Sequence, residues 1–216
     1  MDVRRLGLVP YEEAWALQNR LAGGRRAGIV PDTLILLEHP HTYTIGRSGT
    51  RDHVFLSEAE MEARGITCLD VDRGGDVTYH GPGQLVGYPI LDLGPQPDVG
   101  RYLRNLEGCL IDVLADFEIL AGRLEGYTGV WLGDRKIAAI GVKVSQGVTT
   151  HGFALNVSTD LSLFTHILAC GLPDKGVTSM ALELGVAPPM AAVEDAIISR
   201  FSRRFVLTGK PAAHVA

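Results

Sequence analysis

The stretch Arg73-Gly74-Gly75-Asp76-Val77-Thr78-Tyr79-His80-Gly81-Pro82-Gly83-Gln84 sets four glycines and a proline directly before an apolar run, Leu85-Val86-Gly87-Tyr88-Pro89-Ile90. Glycine permits positive φ and close backbone approach, while Arg73, Thr78, Tyr79, His80 and Gln84 bring a cation, hydroxyls, an imidazole and an amide into one short segment. An arbitrary Gly-rich loop is more often a tight hairpin whose polar groups satisfy its own backbone. Here the density of polar side chains points to a pocket wall. Two familiar phosphate loops are excluded, because no Gly-Lys-Ser/Thr follows and no G-x-G-x-x-G opens a helix.

On either side of this stretch the hydrophobic pattern predicts an α+β fold. Residues 3–9 alternate weakly as an edge strand. Pro10 opens a helix with Glu12 and Glu13 at its positive end; Ala14, Leu17 and Leu21 share a face, and Gly23-Gly24 is expected to end it. Residues 32–38 read as a buried strand, and 42–47 follow closely enough for a hairpin with it. Ser57, with Glu60 three residues on, caps a short helix. Residues 66–72 and 84–92 read as strands, Pro89 marking an edge or a bulge. Leu103, Leu106, Leu110, Val113, Leu114 and Phe117 repeat at three and four residues, a helix within 99–120. A hairpin follows around Gly133-Asp134-Arg135, then a strand over 149–158 and a short helix capped by Ser158-Thr159-Asp160 that leads to Cys170. Residues 178–184 and 190–205 are helical by pattern, and 209–216 form a frayed tail. Strands come in pairs and helices cluster, so the sheet is mixed or antiparallel and layered with helices.

A chain of 216 residues, 46% of them hydrophobic, suits one domain spanning 1–216. No signal peptide or membrane-spanning run is visible, which predicts a cytoplasmic protein. The net charge of −5 argues against nucleic acid as a partner. Cys68, Cys109 and Cys170 are too few and scattered for a disulfide framework. His39 and His41 have a ligand spacing, but His39 adjoins a proline and no third ligand is near, so no metal is expected.

Cys68 and Cys109 read as small core residues. Cys170, in Ile167-Leu168-Ala169-Cys170-Gly171-Leu172-Pro173, lies where a helix breaks against glycine and proline. A nucleophilic thiol needs a cation or base nearby, and Lys136, Lys143, Lys175 and several histidines are available. Residue types leave an inert and a catalytic Cys170 equally open. Lys136 begins an apolar run, 137–142, whose desolvation would favour action as a base.

Arg-Gly-Gly-x-x-Thr-Tyr-His-x-x-Gly-Gln-x-x-x-Tyr resembles the signature of the lipoyl(octanoyl) transferases. The likeness extends to Lys136-Ile137-Ala138-Ala139-Ile140-Gly141, to His151-Gly152-Phe153-Ala154-Leu155-Asn156, and to Cys170-Gly171 followed by Val177-Thr178-Ser179, covering roughly residues 3–200. It implies the fold of the biotin/lipoate protein ligase catalytic domain, with Cys170 as the acyl-carrying nucleophile and Lys136 as its partner. It also implies a substrate pocket lined by Arg73, Gly74, Gly75, Asp76, Val77, Thr78, Tyr79 and His80, by Ala139, Ile140 and Gly141, and by Gly152, Phe153 and Ala154. His151 is a candidate orienting residue, the alternative being a backbone-bonded strand histidine. Ile140, Val142, Phe153 and Leu155 are expected apolar walls.

The implied reaction carries octanoyl from octanoyl-acyl carrier protein to a lysine of a lipoyl domain, with no cofactor and no ATP. The implied acceptors are the acyltransferase subunits of 2-oxoacid dehydrogenases and the glycine-cleavage H protein, and a monomer is expected. Arg101, Arg104, Arg123, Arg135 and Lys143 are available as a basic patch for the acidic carrier. An ATP-dependent lipoate or biotin ligase would need no nucleophilic cysteine, and a non-catalytic acyl or lipoyl-domain binding module would need neither Cys170 nor Lys136. A cysteine hydrolase lacks a recognisable third triad member.

Overall fold

The computed structural model describes residues 1–168 and 175–206. Cys170, Gly171 and the 209–216 tail lie outside the described residues. The main sheet contains β1 (Asp2–Leu8), β2 (Thr33–Glu38), β6 (Gln84–Ile90), β7 (Gly122–Leu124), β8 (Tyr127–Leu132), β9 (Arg135–Ser145), β10 (Val148–Asn156) and β11 (Gly176–Val177). Its order is β1-β2-β6-β10-β9-β8-β7, with β11 on the start of β9. The β1–β2 and β9–β11 pairs are parallel and the others antiparallel, so the sheet is mixed. A second sheet of three strands has the order β4-β3-β5, with β3 (Thr42–Ile45), β4 (Thr67–Asp70) and β5 (Val77–His80).

The two-residue period of β2 explains the layering. Leu34 and Leu36 point into a core with α3 (Val99–Asp116) and α5 (Met190–Val206), while Ile35 and Leu37 point oppositely, towards α1 (Tyr11–Arg26). Both sheet faces are thus covered. A third core under the small sheet gathers Tyr43, Ile45, Val77 and Tyr79 with Met61 of α2 (Glu58–Ala63) and with Val54 and Ile167. Capping follows the sequence closely. Ser57 and Glu60 form the reciprocal capping box of α2, Asp98 caps α3, and Ser179 caps α4 (Met180–Leu184). No described helix is long and apolar enough to cross a membrane.

Three expectations need correction. Helix α1 runs through Gly23-Gly24 to Arg26 and stops where Gly28 takes φ +71°. Gly24 packs against Val30 there, and its carbonyl accepts the Ile29 N–H at 2.9 Å. Strand β3 forms no hairpin with β2; it leaves the main sheet and pairs with β4 and β5. Pro89 sits in a central strand, not at an edge. Opposite it the ladder is replaced by the Thr149 hydroxyl, which donates to Pro89 O at 2.6 Å and accepts from the Leu91 N–H at 2.9 Å. One hydroxyl thus satisfies both the proline's carbonyl and the next strand N–H.

Candidate active site

A cavity of about 350 Å³ opens between the two sheets, a size within the range of small-molecule sites. The glycine loop 73–76 closes one side of it. Its Gly74 N–H donates to Val142 O of β9 at 3.0 Å, and Gly46, Arg47 and Ser48 donate to the carbonyls of Asp76, Arg73 and Gly75. Such close stitching explains two motif glycines. A Cβ on Gly141 would stand 2.8 Å from Gly74 O, and one on Gly152 would stand 2.1 Å from Gly87 O on β6.

The cavity is lined by Arg73, Gly74, Gly75, Asp76, Val77, Thr78 and His80, by Ala139, Ile140 and Gly141, and by Gly152, Phe153 and Ala154. Lys136 and His151 line it too. Tyr79 does not: strand alternation turns its ring into the third core, where its hydroxyl meets His41 Nδ1 at 2.7 Å. Val142 and Leu155 belong to the main core and do not line the cavity; Ile140 and Phe153 belong to that core as well but also reach the cavity, which Val86 lines too. Four of the five residues considered as a basic patch are engaged in ion pairs, Arg101 being the exception among the ion pairs of the described residues. Arg104 and Arg123 converge on buried Glu107, Arg135 pairs with Glu183, and Lys143 pairs with Asp72.

Lys136 stands at the start of β9, half-buried, with its ammonium over the Trp131 ring at 4.7 Å from the centroid. The ring face attracts the cation, an interaction that an apolar run alone did not predict. Lys136 O accepts the Thr178 N–H at 3.0 Å, which locks the chain emerging from residue 175 beside it. A narrow cleft adjoins the cavity at Lys136, Thr78, Ala139 and Ala154, and Lys175 lines it as well.

The opposite end of the cavity is polar and buried. His151 takes φ +56°, and its N–H donates to Gln18 Oε1 at 2.7 Å. Its ring lies between Asp72 Oδ1, 2.7 Å from Nε2, and the Tyr11 hydroxyl, 3.3 Å from Nδ1. The histidine is thus held by side chains and not by the backbone. Burial lowers its affinity for a proton more than Asp72 restores it. Burial also acts to raise Asp72, yet hydrogen bonds from Lys143 and His151 prevail and hold that carboxyl below its ordinary range. The pair is a neutral imidazole beside an ionised carboxylate. His39 and His80 are also kept neutral by burial, His39 at about 4. His39 Nε2 meets the Tyr88 hydroxyl at 2.7 Å and Nδ1 meets Val9 O at 2.6 Å, so both ring nitrogens serve the fold. His80 starts a chain of amides: Nδ1 to Gln84 Oε1 at 2.8 Å, Gln84 Nε2 to Asn156 Oδ1, and Asn156 Nδ2 to Thr178 O.

Tyr11, Asp72, Tyr88, Tyr127, Trp131 and Asn156 join this site beyond the motif residues expected to line it. Tyr88 and Asn156 stood inside the motifs and could have been inferred. Tyr11 carried no signal, since it lies 140 residues from its partner His151.

The site is a cleft between a mixed sheet and a small second sheet, with a lysine where the cavity meets the narrow cleft. The lipoyl protein ligase A/B catalytic domain family matches residues 10–202. The octanoyltransferase of Chloroflexus aggregans is 52% identical over 211 residues, covering 96% of each chain. Among solved structures, lipoate-protein ligase A bound with ATP superposes with a TM-score of 0.76 at 20% identity, covering 95% of this chain and 86% of that one. The bipartite lipoate protein ligase of Thermoplasma acidophilum, described with its E2 lipoyl domain, gives 0.74 at 20% identity, covering 95% and 84%. These two establish the fold alone. The chain belongs to the lipoyl protein ligase A/B catalytic domain family, on its octanoyltransferase branch, and is an acyltransferase.

Proposed function

We propose that the protein moves an octanoyl group from octanoyl-acyl carrier protein to a lysine of a lipoyl domain by way of a thioester on Cys170. The observation that carries this reading is the position of Lys136 where the cavity and the narrow cleft meet, with Lys175 also lining that cleft. In sequence Cys170 lies two residues after Leu168, whose N–H donates to His53 O at 2.8 Å, and five before Lys175. Two residues of chain span at most about 7 Å.

In the first step the Cys170 sulfur attacks the thioester carbonyl beside Lys136, and the carbon–sulfur bond to phosphopantetheine breaks. The thiol proton of Cys170 ends on the departing sulfur. In the second, the acceptor lysine's amine attacks the new thioester while Lys136 takes its proton, which passes to the Cys170 sulfur as that bond breaks. One thioester replaces another at little cost and the final amide is more stable, so the sequence proceeds without ATP. Among the glycine-stretch amides, Gly74, Val77, Gly83 and Gln84 already donate to Val142 O, Asp76, Glu38 and Gly81 O. The oxyanion would be held by other backbone N–H groups of the glycine stretch or by those around Gly171, a contact typically worth roughly 3 kcal/mol. Seating the eight-carbon chain on Val86, Ile140, Phe153 and Ala154 adds roughly 5 kcal/mol, at about 0.8 kcal/mol per methylene.

The fold neighbours include an ATP-bound ligase, so the second reading is an ATP-dependent ligase in which Lys136 would meet an acyl-adenylate. Intact-protein mass spectrometry with octanoyl-acyl carrier protein and no ATP separates the two. A hydroxylamine-labile octanoyl adduct on wild type, slowed in Lys136→Ala and lost as a thioester in Cys170→Ser, is expected. Transfer only when ATP and free octanoate are supplied would overturn the transferase reading.

A further inference from the structure

His53 lies outside the cavity lining, yet it ties the cavity to the chain that leads to Cys170. It ends a single 3-10 turn, Arg51–His53, and its Nδ1 stands 2.9 and 2.8 Å from the two carboxylate oxygens of Asp76. A carboxylate only accepts, so Nδ1 carries the proton. Asp76 in turn lines the cavity, accepts the Val77 N–H at 2.7 Å through Oδ1, and accepts the Gly46 N–H through its carbonyl. One imidazole therefore fixes the loop 73–76 at its joint with β5.

The same residue holds a second segment by its backbone. His53 O accepts the Leu168 N–H at 2.8 Å, Phe55 N–H donates to His166 O at 2.9 Å, and Val54 and Ile167 form an antiparallel bridge. Both of those side chains are buried in the third core. The residues 53–55 thus bind the last described positions before Cys170 and, through one ring, the cavity rim. We infer that His53 is a positioning residue for acyl transfer, setting the register between the acyl cavity at Asp76 and the segment that carries Cys170. This rests on the reading of Cys170 as nucleophile. A misplacement of about 1 Å between an acyl carbon and its nucleophile costs on the order of a hundredfold in rate, so a linkage of this kind acts on turnover and not on affinity.

The test follows octanoyl-adduct formation by the full chain from octanoyl-acyl carrier protein, giving maximal rate and half-saturation for wild type, His53→Ala, His53→Asn and His53→Gln. Asparagine places an amide N–H where the ring has Nδ1, whereas the glutamine amide extends past it. The expected result is a roughly tenfold to hundredfold lower maximal rate in His53→Ala and His53→Gln with half-saturation little changed, and recovery of most of that rate in His53→Asn. A wild-type rate in His53→Ala, or equal losses in all three variants, would overturn the positioning role while leaving the Cys170 thioester intact. If His53→Ala does not fold, the contrast between His53→Asn and His53→Gln decides. Absence of any adduct on wild type would overturn both the nucleophile and the linkage.

Discussion

The two walls of the cavity are held by different physics. The main-sheet wall, from β6, β9 and β10, is part of a continuous buried ladder in which every residue of β6 and β10 is buried. The small-sheet wall has an apolar core of its own, but its rim loop 73–76 is held by individual polar contacts: Arg73 Nη2 donates to Thr44 O at 2.7 Å and to Thr44 Oγ1 at 2.8 Å, His53 holds Asp76, and Gly74 N–H reaches Val142 O. Apolar burial is tolerant of detail but sensitive to volume, whereas a polar wall loses its geometry when one partner goes. Stability is therefore expected to reside in the first wall and chemistry along the seam with the second.

The sharpest break of that contrast is Lys136→Ala, expected to cut octanoyl transfer by roughly a thousandfold while leaving the unfolding midpoint nearly unchanged. Activity assays beside thermal melts check it, and a large loss of stability would mean that the seam is structural. The reverse case is Gly152→Ala, whose new Cβ meets Gly87 O within the β6–β10 ladder. A destabilisation of about 3 kcal/mol in urea titration is expected, before any effect on transfer by the folded fraction.

Acid should attack the buried imidazoles. His39 is held near 4 against an ordinary 6.5, so the unfolded chain binds a proton that the folded one refuses. Stability is complete above pH 6.5 and falls as pH drops from 6.5 towards 4, by roughly 3 kcal/mol for His39 alone, with His80 and His151 shifted in the same direction. Urea midpoints at pH 7.5 and 5 measure this; a flat profile would refute the burial of these rings. The smallest effect is one of acyl length. Ile140→Trp fills the apolar wall, and each methylene thereby excluded should shift preference towards shorter donors by roughly fourfold, read from competition between hexanoyl and octanoyl carrier protein.

Much of the main sheet was legible because its pattern is local. The run 32–38, the three-and-four spacing of α3 and the Ser57–Glu60 capping box each encode burial or a terminus within a few residues. The motif stretches marked most of the cavity lining as well, since their glycines and polar residues stand where two backbones approach. Tyr79 was misplaced because a motif read as a string does not say which face of a strand each residue takes. Alternation gives Thr78 and His80 to the cavity and Tyr79 to the core.

By itself the sequence determined the elements, the caps, the glycine-lined cleft and the family, all properties of neighbouring residues or of motifs. Only the tertiary structure decided that β3 leaves β2 for a second sheet, that Thr149 lets Pro89 remain central, and that Tyr11, Asp72 and His151 meet. The reason is physical: periodicity fixes which side of a segment seeks burial, but the partner it finds is chosen by contacts between residues far apart in the chain, up to 140 positions for Tyr11 and His151, where nothing local distinguishes one buried surface from another.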